Sequence, residues 1–176
     1  MIYAFFELHE RLPKVRLHIM GGVDDEEYGA ECHALVETLG VRDLIFTGRV
    51  NVVEYMEKLD FTILTSISEG QPLSVLESLA ARRPCVTTEV GCCRELLEGA
   101  PGDDFGVAGF VTPPMYRKGL ADAMERMCTS RARRIEMGER GQRRVATYFL
   151  HEQMLANYRA LYDETAQAFD LPREGE

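Results

Sequence analysis

The sequence predicts an α/β fold, with a parallel sheet of about five strands and helices on both faces. Short apolar runs rich in β-branched residues alternate with helical patterns along the chain. The runs are nearly continuous in apolar residues, as in strands that helices cover on both sides. The strands are predicted near residues 15–20, 44–48, 61–65, 85–89 and 109–112.

The helices between the strands have recognisable ends. A first helix over residues 2–12 places Phe5 and Leu8 on one side and stops before Pro13. The second begins among the acids that follow Gly22, which the helix dipole favours, and stops at Gly40. Two short helical patterns, VNVVEYMEKL and CRELLEG, follow the second and fourth strands.

The helix that follows the third strand has the clearest boundaries. Pro72 is expected in its first turn, where the missing N–H costs nothing. The helix is expected to close before Pro84. Arg82 and Arg83, at its end, are expected to face solvent or to add charge near a partner.

Length and composition fit one domain over residues 1–176. The chain has 176 residues, and 45% of them are hydrophobic, which is enough for a core. Only helical patterns follow the fifth strand, so a helical C-terminal extension is predicted over about 116–169. The last helix carries an apolar stripe, interpreted as core packing or, alternatively, as a surface left exposed for self-association: Leu150, Met154, Leu155, Tyr158, Leu161 and Tyr162.

The chain opens on a helix rather than on a strand. A doubly wound sheet usually opens with a strand whose following turn binds phosphate. We therefore expect that strand upstream of Met1, and the sequence to be part of a longer protein.

Charge and cysteine content argue against several kinds of partner and site. The net charge of −9 argues against a nucleic-acid partner. The arginine-rich segment 131–144 is interpreted as a solvated helix face, with anionic lipid or an acidic partner as the alternative. Five cysteines without a CxxC pair indicate neither a disulfide framework nor a zinc site. No apolar run is long enough to span a membrane and the first residues do not resemble a signal peptide, so a cytoplasmic location is predicted.

The stretch SISEGQPLSVLESL places Glu69 and Glu77 on either side of a helix start. Ligands of parallel sheets bind at the carboxyl ends of strands, and this turn follows the third strand. The N–H groups of Leu73, Ser74 and Val75 are expected to be free, which makes an anion site suited to a diphosphate.

The spacing of the two glutamates fits a nucleotide-sugar. Glu77 lies about 7–8 Å along the helix from Pro72, where it can accept hydrogen bonds from a ribose diol. Glu69 would reach a sugar on the distal phosphate. Two alternatives stay open from the spacing alone: two unrelated surface acids, or a glycosidase pair, whose carboxyls lie about 5–10 Å apart.

The segment SEGQPLSVLESLAARRPCVTTEVGCCRELLEG resembles the core of the retaining family 4 glycosyltransferases, over roughly residues 15–164. The resemblance implies a Rossmann-like half of a GT-B fold. Glu69 would contact the donor sugar and Glu77 the ribose, as the catalytic-site residues. The other donor-binding residues would be Gly48, Arg49 and Val50 beside the base and Gly70, Gln71, Pro72, Leu73 and Ser74 around the sugar and diphosphate.

The resemblance also implies the chemistry and the partners. The reaction would retain anomeric configuration, need no metal and no cofactor, and use a donor such as UDP-glucose as substrate. Only the C-terminal, donor-binding half is matched. An N-terminal acceptor domain would complete the enzyme, within a membrane-associated polysaccharide synthesis complex, and the isolated chain is expected to be inactive. Cys92 and Cys93 would pack within a turn. The alternatives are half of a nucleotide-sugar epimerase and a non-catalytic interaction module.

Overall fold

The computed structural model describes residues 1–168. The α/β class and all five predicted strands are confirmed, while the last residue of the predicted helical extension, Phe169, lies outside the described part. The elements follow in this order: α1 (Ile2–Arg11), β1 (Leu17–Met20), α2 (Glu26–Leu39), β2 (Leu44–Gly48), α3 (Val52–Met56), β3 (Thr62–Leu64), α4 (Leu73–Ala80), β4 (Cys85–Thr88), α5 (Cys93–Glu98), β5 (Gly109–Thr112), α6 (Arg117–Cys128), α7 (Arg131–Tyr148) and α8 (His151–Ala168).

The strands form two parallel sheets rather than one. β1 pairs with β2, and β3, β4 and β5 pair in that order, with every pair parallel. Within residues 1–168, no backbone hydrogen bond links residues 15–20 to residues 61–66. A cavity of about 780 Å³ lies between β1 and β3, and we call it the slot.

The ends of α2 follow from local sequence. Asp25 is the N-cap, and its side chain accepts a hydrogen bond from the N–H of Tyr28 at 3.0 Å. Gly40 ends the helix in the left-handed conformation, at φ 66°. Both ends agree with the sequence-based prediction.

Two apolar clusters form the core. The first joins α1, β1, β2, β4 and α6, and its buried members include Phe5, Leu8, Leu17, Leu44 and Met124. The second lies among α4, β4 and α5, with members that include Val75, Leu79, Cys85, Leu96 and Leu97. Because the first cluster contains residues from both sheets, the sheets are held together by helix packing rather than by strand pairing.

Helix α7 exposes Arg131, Arg133 and Arg143, as the predicted solvated face requires, but Arg144 is buried. Arg144 is 1% exposed, pairs with Asp103, and donates to the carbonyls of Leu96 and Leu97. Burial of this guanidinium is tolerated because carboxylate and carbonyl oxygens satisfy its donors. Arg144 also donates to the Gly106 carbonyl, so this residue anchors the loop after α5 to α7.

Helix α8 buries none of its residues. Core packing of its apolar stripe was therefore the wrong interpretation, and the alternative of an exposed stripe is what the structure has. Tyr158, Leu161 and Tyr162 are 53%, 55% and 69% exposed. The reason is positional, since α8 follows α7, which packs mainly on helices α4, α5 and α6, and α8 contributes no residue to either core cluster.

None of the helices within residues 1–168 is both long enough and apolar enough to cross a bilayer.

Candidate functional site

The turn after β3 holds Glu69 in a fixed orientation. The Ser66 hydroxyl donates to the Glu69 carboxylate at 2.7 Å, and the Ser66 carbonyl accepts from the Thr88 hydroxyl of β4. Glu69 is only partly exposed. A carboxylate fixed in this way keeps a free oxygen for a ligand and loses little side-chain entropy when a ligand binds.

Gly70 offers an open backbone at the tip of this turn. A Cβ at Gly70 would meet no atom within 4 Å, so a ligand can approach the main chain there. The Gly70 carbonyl is not free, because it accepts from the N–H of Cys92 at 3.0 Å. Gln71 follows it and is exposed.

The turn after β4 packs directly on the turn after β3. Gly91 adopts φ 49°, and a Cβ there would lie 2.1 Å from the Gly70 carbonyl oxygen. It would also lie 2.5 Å from the carbonyl oxygen of Glu69. Only glycine therefore allows this approach. Sequence reasoning gave Gly91 no role. The available signal was a glycine in the turn that follows the fourth predicted strand.

Helix α4 begins one residue later than the sequence predicted. Pro72 is the N-cap with extended backbone, and its carbonyl accepts from the N–H of Val75 at 3.1 Å. The expectation of a free Val75 amide was therefore wrong, since this N–H has a partner and Val75 is 1% exposed. The N–H groups of Leu73 and Ser74 have no acceptor within the described residues, and both residues are exposed.

Glu77 lies on the same exposed side of α4 as the side chains of Leu73 and Ser74. It is one helical turn after Leu73 and three residues after Ser74, which puts all three on one face. Glu77 is exposed, and no side-chain partner holds its carboxylate in the described structure. A ligand at the start of α4 would therefore not have to displace a side-chain partner of the Glu77 carboxylate.

Gly48 is the last residue of β2, and Arg49 and Val50 follow it, at the carboxyl end of a different sheet. Gly48 has φ 67°, and its carbonyl accepts from the N–H of Gly21 at 2.9 Å. The side chain of Arg49 passes Gly22. β1 and the slot separate this group from residues 68–74, so the structure does not bring the two groups into contact. Their role beside the base stays a prediction.

The thiols near the turn are not activated. Burial raises the pKa of Cys92 and of Cys93, and it raises the pKa of Cys85 to about 12. The thiol form therefore dominates at neutral pH, which disfavours a nucleophile. Cys93 is fully buried, and Cys92 is partly buried against the second cluster, as a packing role requires.

Arg83 does not face solvent as expected. Its Nε donates to the Met56 carbonyl at 3.0 Å, and its Nη2 donates to the Glu57 carbonyl at 3.3 Å. It therefore satisfies the carbonyls at the end of α3, which a helix end leaves without partners. Arg82 is exposed and adopts φ 58° at the end of α4.

Comparison with known protein families identifies the family of this chain. The family described as glycosyl transferases group 1 matches residues 1–130. The chain belongs to this family. Over 130 residues it is 28% identical to the N-acetyl-α-D-glucosaminyl L-malate synthase of Bacillus anthracis, covering 73% of this chain and 32% of that enzyme. The chain thus spans about a third of the length of this curated relative.

Solved structures share the fold. Sucrose-phosphate synthase from Thermosynechococcus elongatus superposes with a TM-score of 0.81 at 21% identity, over 95% of this chain and 42% of that one. HepE of Anabaena, solved in complex with UDP-glucose, gives a TM-score of 0.74 at 20% identity, over 90% of this chain and 44% of that one. At these identities the likeness shows the fold alone.

Proposed function

We propose that this chain is the nucleotide-sugar-binding half of a retaining glycosyltransferase that uses a UDP-sugar donor. The observation that carries the proposal is the start of α4. The N–H groups of Leu73 and Ser74 have no acceptor within the described residues, and both residues are exposed and lie between Glu69 and Glu77 in the sequence. This spacing suits a ligand with a diphosphate in the middle and hydroxyl groups at both ends.

The helix start would stabilise the charge that develops on the leaving group. When the bond between sugar and diphosphate breaks, negative charge grows on the phosphate oxygens. The N–H groups of Leu73 and Ser74 and the positive end of the helix dipole would meet that charge without reorganising. Pro72, which is buried, fixes the backbone that aims these amides.

The two carboxylates have separate tasks in this proposal. Glu69, held by Ser66, would accept hydrogen bonds from hydroxyls of the donor sugar and so orient the anomeric carbon. Glu77 would accept both hydroxyls of the ribose and so fix the nucleotide end. Neither is proposed as a nucleophile. Gly48, Arg49 and Val50 would contact the base from the other sheet.

The donor, the product and the partners belong to the same proposal. UDP-glucose is favoured because HepE of the same fold was solved with it. The sequence also resembles the glycosyltransferase of Pel exopolysaccharide synthesis, and on that resemblance we propose a hexosyltransferase that builds a bacterial polysaccharide in the cytoplasm without a metal ion. An acceptor-binding lobe outside these 176 residues would complete the active site, so the isolated chain would bind donor weakly and transfer no sugar. Membership of a transferase family disfavours an epimerase.

Calorimetry with UDP and UDP-glucose tests the proposal. Glu77→Gln is expected to weaken binding of both ligands about tenfold, whereas Glu69→Gln weakens UDP-glucose more than UDP. Glu37→Gln is the matched control, because Glu37 is an exposed helical glutamate on α2 and its charge change is identical. Equal affinities for all three variants and the parent chain, or robust sugar transfer by the isolated chain, would contradict the proposal.

A further inference from the structure

Strand β5 forms one border of the β3–β4–β5 sheet, and a second cavity lies along it. β5 pairs only with β4 within residues 1–168. The cavity has a volume of about 590 Å³, and we call it the β5 groove. All four residues of β5, Gly109–Thr112, line it. Because successive strand residues alternate between the two faces of a sheet, a groove lined by four consecutive residues runs along the open edge of the strand.

The hydrogen bonds of β5 show which backbone groups face the groove. The Thr112 carbonyl accepts from the N–H of Glu89 at 2.8 Å, so the backbone groups of Thr112 point toward β4. The N–H and C=O groups of successive strand residues point to opposite sides. Those of Val111 therefore point away from β4 and into the groove, and neither has a hydrogen-bond partner in the described part of the chain.

Arg126 lines the groove in a fixed position. It lies on the face of α6 that also contributes Gly119 and Asp122 to the lining. Its guanidinium carbon lies 4.2 Å from the centre of the Phe110 ring. A guanidinium stacked on a ring keeps its N–H groups, which lie in its own plane, free for a planar acceptor such as a carboxylate. Arg133 of α7 adds a second guanidinium to the lining.

The charges that line the groove do not cancel. Both acids that line it already have cationic partners: Asp122 pairs with Arg11 and Lys118, and Glu98 pairs with Arg94. Arg126 and Arg133 are exposed, and neither forms an ion pair within residues 1–168. The groove is therefore positively charged, on a chain whose net charge is −9.

An open strand edge and two unpaired arginines together favour an acidic peptide over a small anion. A free carboxylate or phosphate accepts hydrogen bonds from a guanidinium but does not extend along a strand to pair with its backbone. An extended peptide exchanges N–H and C=O groups with the edge, as in recognition by strand addition. Acidic side chains on that peptide complement the arginines, which adds charge-assisted hydrogen bonds and selects against basic segments.

We propose that the β5 groove is a docking site for an acidic segment of a partner protein, bound in extended conformation. The segment would add to β5 as a further strand, exchange hydrogen bonds with the backbone of Val111, and pair its carboxylates with Arg126 and Arg133. β4 lies between β5 and the strand that leads to the proposed donor turn. The groove and the donor turn are therefore separate places on the same sheet.

Fluorescence anisotropy with three labelled peptides tests the proposal on the 176-residue chain. The first is Thr-Glu-Val-Glu-Val-Glu with capped ends, since roughly six residues match a typical strand. The second replaces each glutamate by lysine. The third is the acidic peptide N-methylated on every residue, which keeps the charge but cannot donate hydrogen bonds to a strand. Only the first peptide is expected to bind saturably.

Two double variants separate the groove from general charge attraction. Arg126→Gln with Arg133→Gln should weaken binding of the acidic peptide at least about tenfold. Arg131→Gln with Arg143→Gln is the matched control, because these arginines are exposed on α7, lie outside the groove, and remove the same charge. Their affinity should stay within about twofold of the parent chain. Equal losses in the two double variants, equal binding of the N-methylated peptide, or no binding of the acidic peptide would overturn the proposal.

Hydrogen–deuterium exchange locates the peptide without any variant. At saturating acidic peptide the amide of Val111 should exchange about tenfold more slowly, because it gains an acceptor. The amide of Glu89, already bonded to the Thr112 carbonyl, is the internal reference. Slower exchange at Leu73 and Ser74 instead, or protection of Val111 that rises with protein concentration in the absence of peptide, would overturn the proposal. None of these readouts requires a nucleotide, so they can fail while the proposed function holds.

Discussion

The two sheets of this molecule differ sharply in how completely they are enclosed. Helices α4 and α5, which cover the β3–β4–β5 sheet, bury residues such as Val75, Leu79, Leu96 and Leu97. Helix α2, beside the β1–β2 sheet, buries none, although it is longer than either. The donor site proposed at α4 is thus built on the sheet with the better-packed helices, although both sheets border the slot, through β1 and β3. The packing of the covering helices, rather than closure of the edge strands, separates the two sheets.

The largest expected effect tests this difference in packing. Leu97→Ala should lower the free energy of unfolding by about 3–4 kcal/mol, because Leu97 is fully buried in the second cluster. Leu35→Ala on α2 is the matched change on the other sheet, where the side chain is only partly buried, and should cost about 1 kcal/mol. Urea denaturation measures both. Similar losses in the free energy of unfolding would mean that the helices on the two sheets are equally well packed.

The buried ion pair on the enclosed sheet gives the next effect. Hydrogen bonds from Arg144 hold the pKa of Asp103 below its usual value. The ionised carboxylate therefore stabilises the native state above its unfolded pKa of about 4, and this stabilisation is lost as pH falls through the lower native pKa. Asp103→Asn should cost about 3 kcal/mol at neutral pH, because it leaves Arg144 buried without its charge partner.

The pH dependence separates this account from a simple packing defect. Thermal melts from pH 7 to pH 2 should show the parent chain losing stability more steeply below about pH 4 than Asp103→Asn does. If the melting temperatures of the two proteins fall equally steeply below about pH 4, then ionisation of Asp103 contributes no stability.

Gly91 links the enclosed sheet to the donor site and gives a smaller effect on stability. Gly91→Ala should cost about 2 kcal/mol and weaken UDP binding about tenfold, because the added Cβ would displace the Gly70 turn. Gly40→Ala is the matched control, since Gly40 has a similar φ of 66° but no atom within 4 Å of an added Cβ. It should cost about 1 kcal/mol and leave UDP affinity unchanged. Unchanged UDP affinity in Gly91→Ala would rule out a positioning role.

The smallest effect on stability is expected at α8, which lies outside both core clusters. Tyr158→Ser with Leu161→Gln should change the free energy of unfolding by less than about 0.5 kcal/mol, because neither side chain is buried. Sedimentation should show less self-association, since the exposed apolar stripe is interrupted. A large loss of stability would mean that α8 packs on the domain in solution.

The sequence predicted what local chemistry determines. The five strands, the ends of α2 and the turn before α4 follow from apolar runs, from Asp25, and from Gly40 and Pro72. It could not predict which arginines of a basic run turn inward. Arg144 and Arg83 are buried or paired because carbonyl oxygens and a carboxylate from distant segments accept their hydrogen bonds. Such tertiary contacts cannot be deduced from composition. The division into two sheets was also hidden, because a strand's partners depend on tertiary neighbours rather than on its own residues.

The turn that carries the candidate site was predicted from the sequence, whereas its hydrogen bonds were not. Glycine, proline and two glutamates at a strand-to-helix turn indicated the anion site, but the one-residue shift of the helix start and the pairing of the Val75 amide depend on backbone geometry. The contact of Gly91 with Gly70 joins two turns that lie about twenty residues apart in sequence, so spacing arguments within one turn could not reach it.

The central claim is that the first amides of α4 bind a diphosphate, and an NMR titration of the isotope-labelled chain with UDP tests it most directly. We predict that the amide resonances of Leu73 and Ser74 shift with a saturable dependence on UDP concentration, while those of α2 around Glu37 do not move. A saturable UDP response that leaves Leu73 and Ser74 unchanged, or no response up to millimolar UDP, would contradict the account.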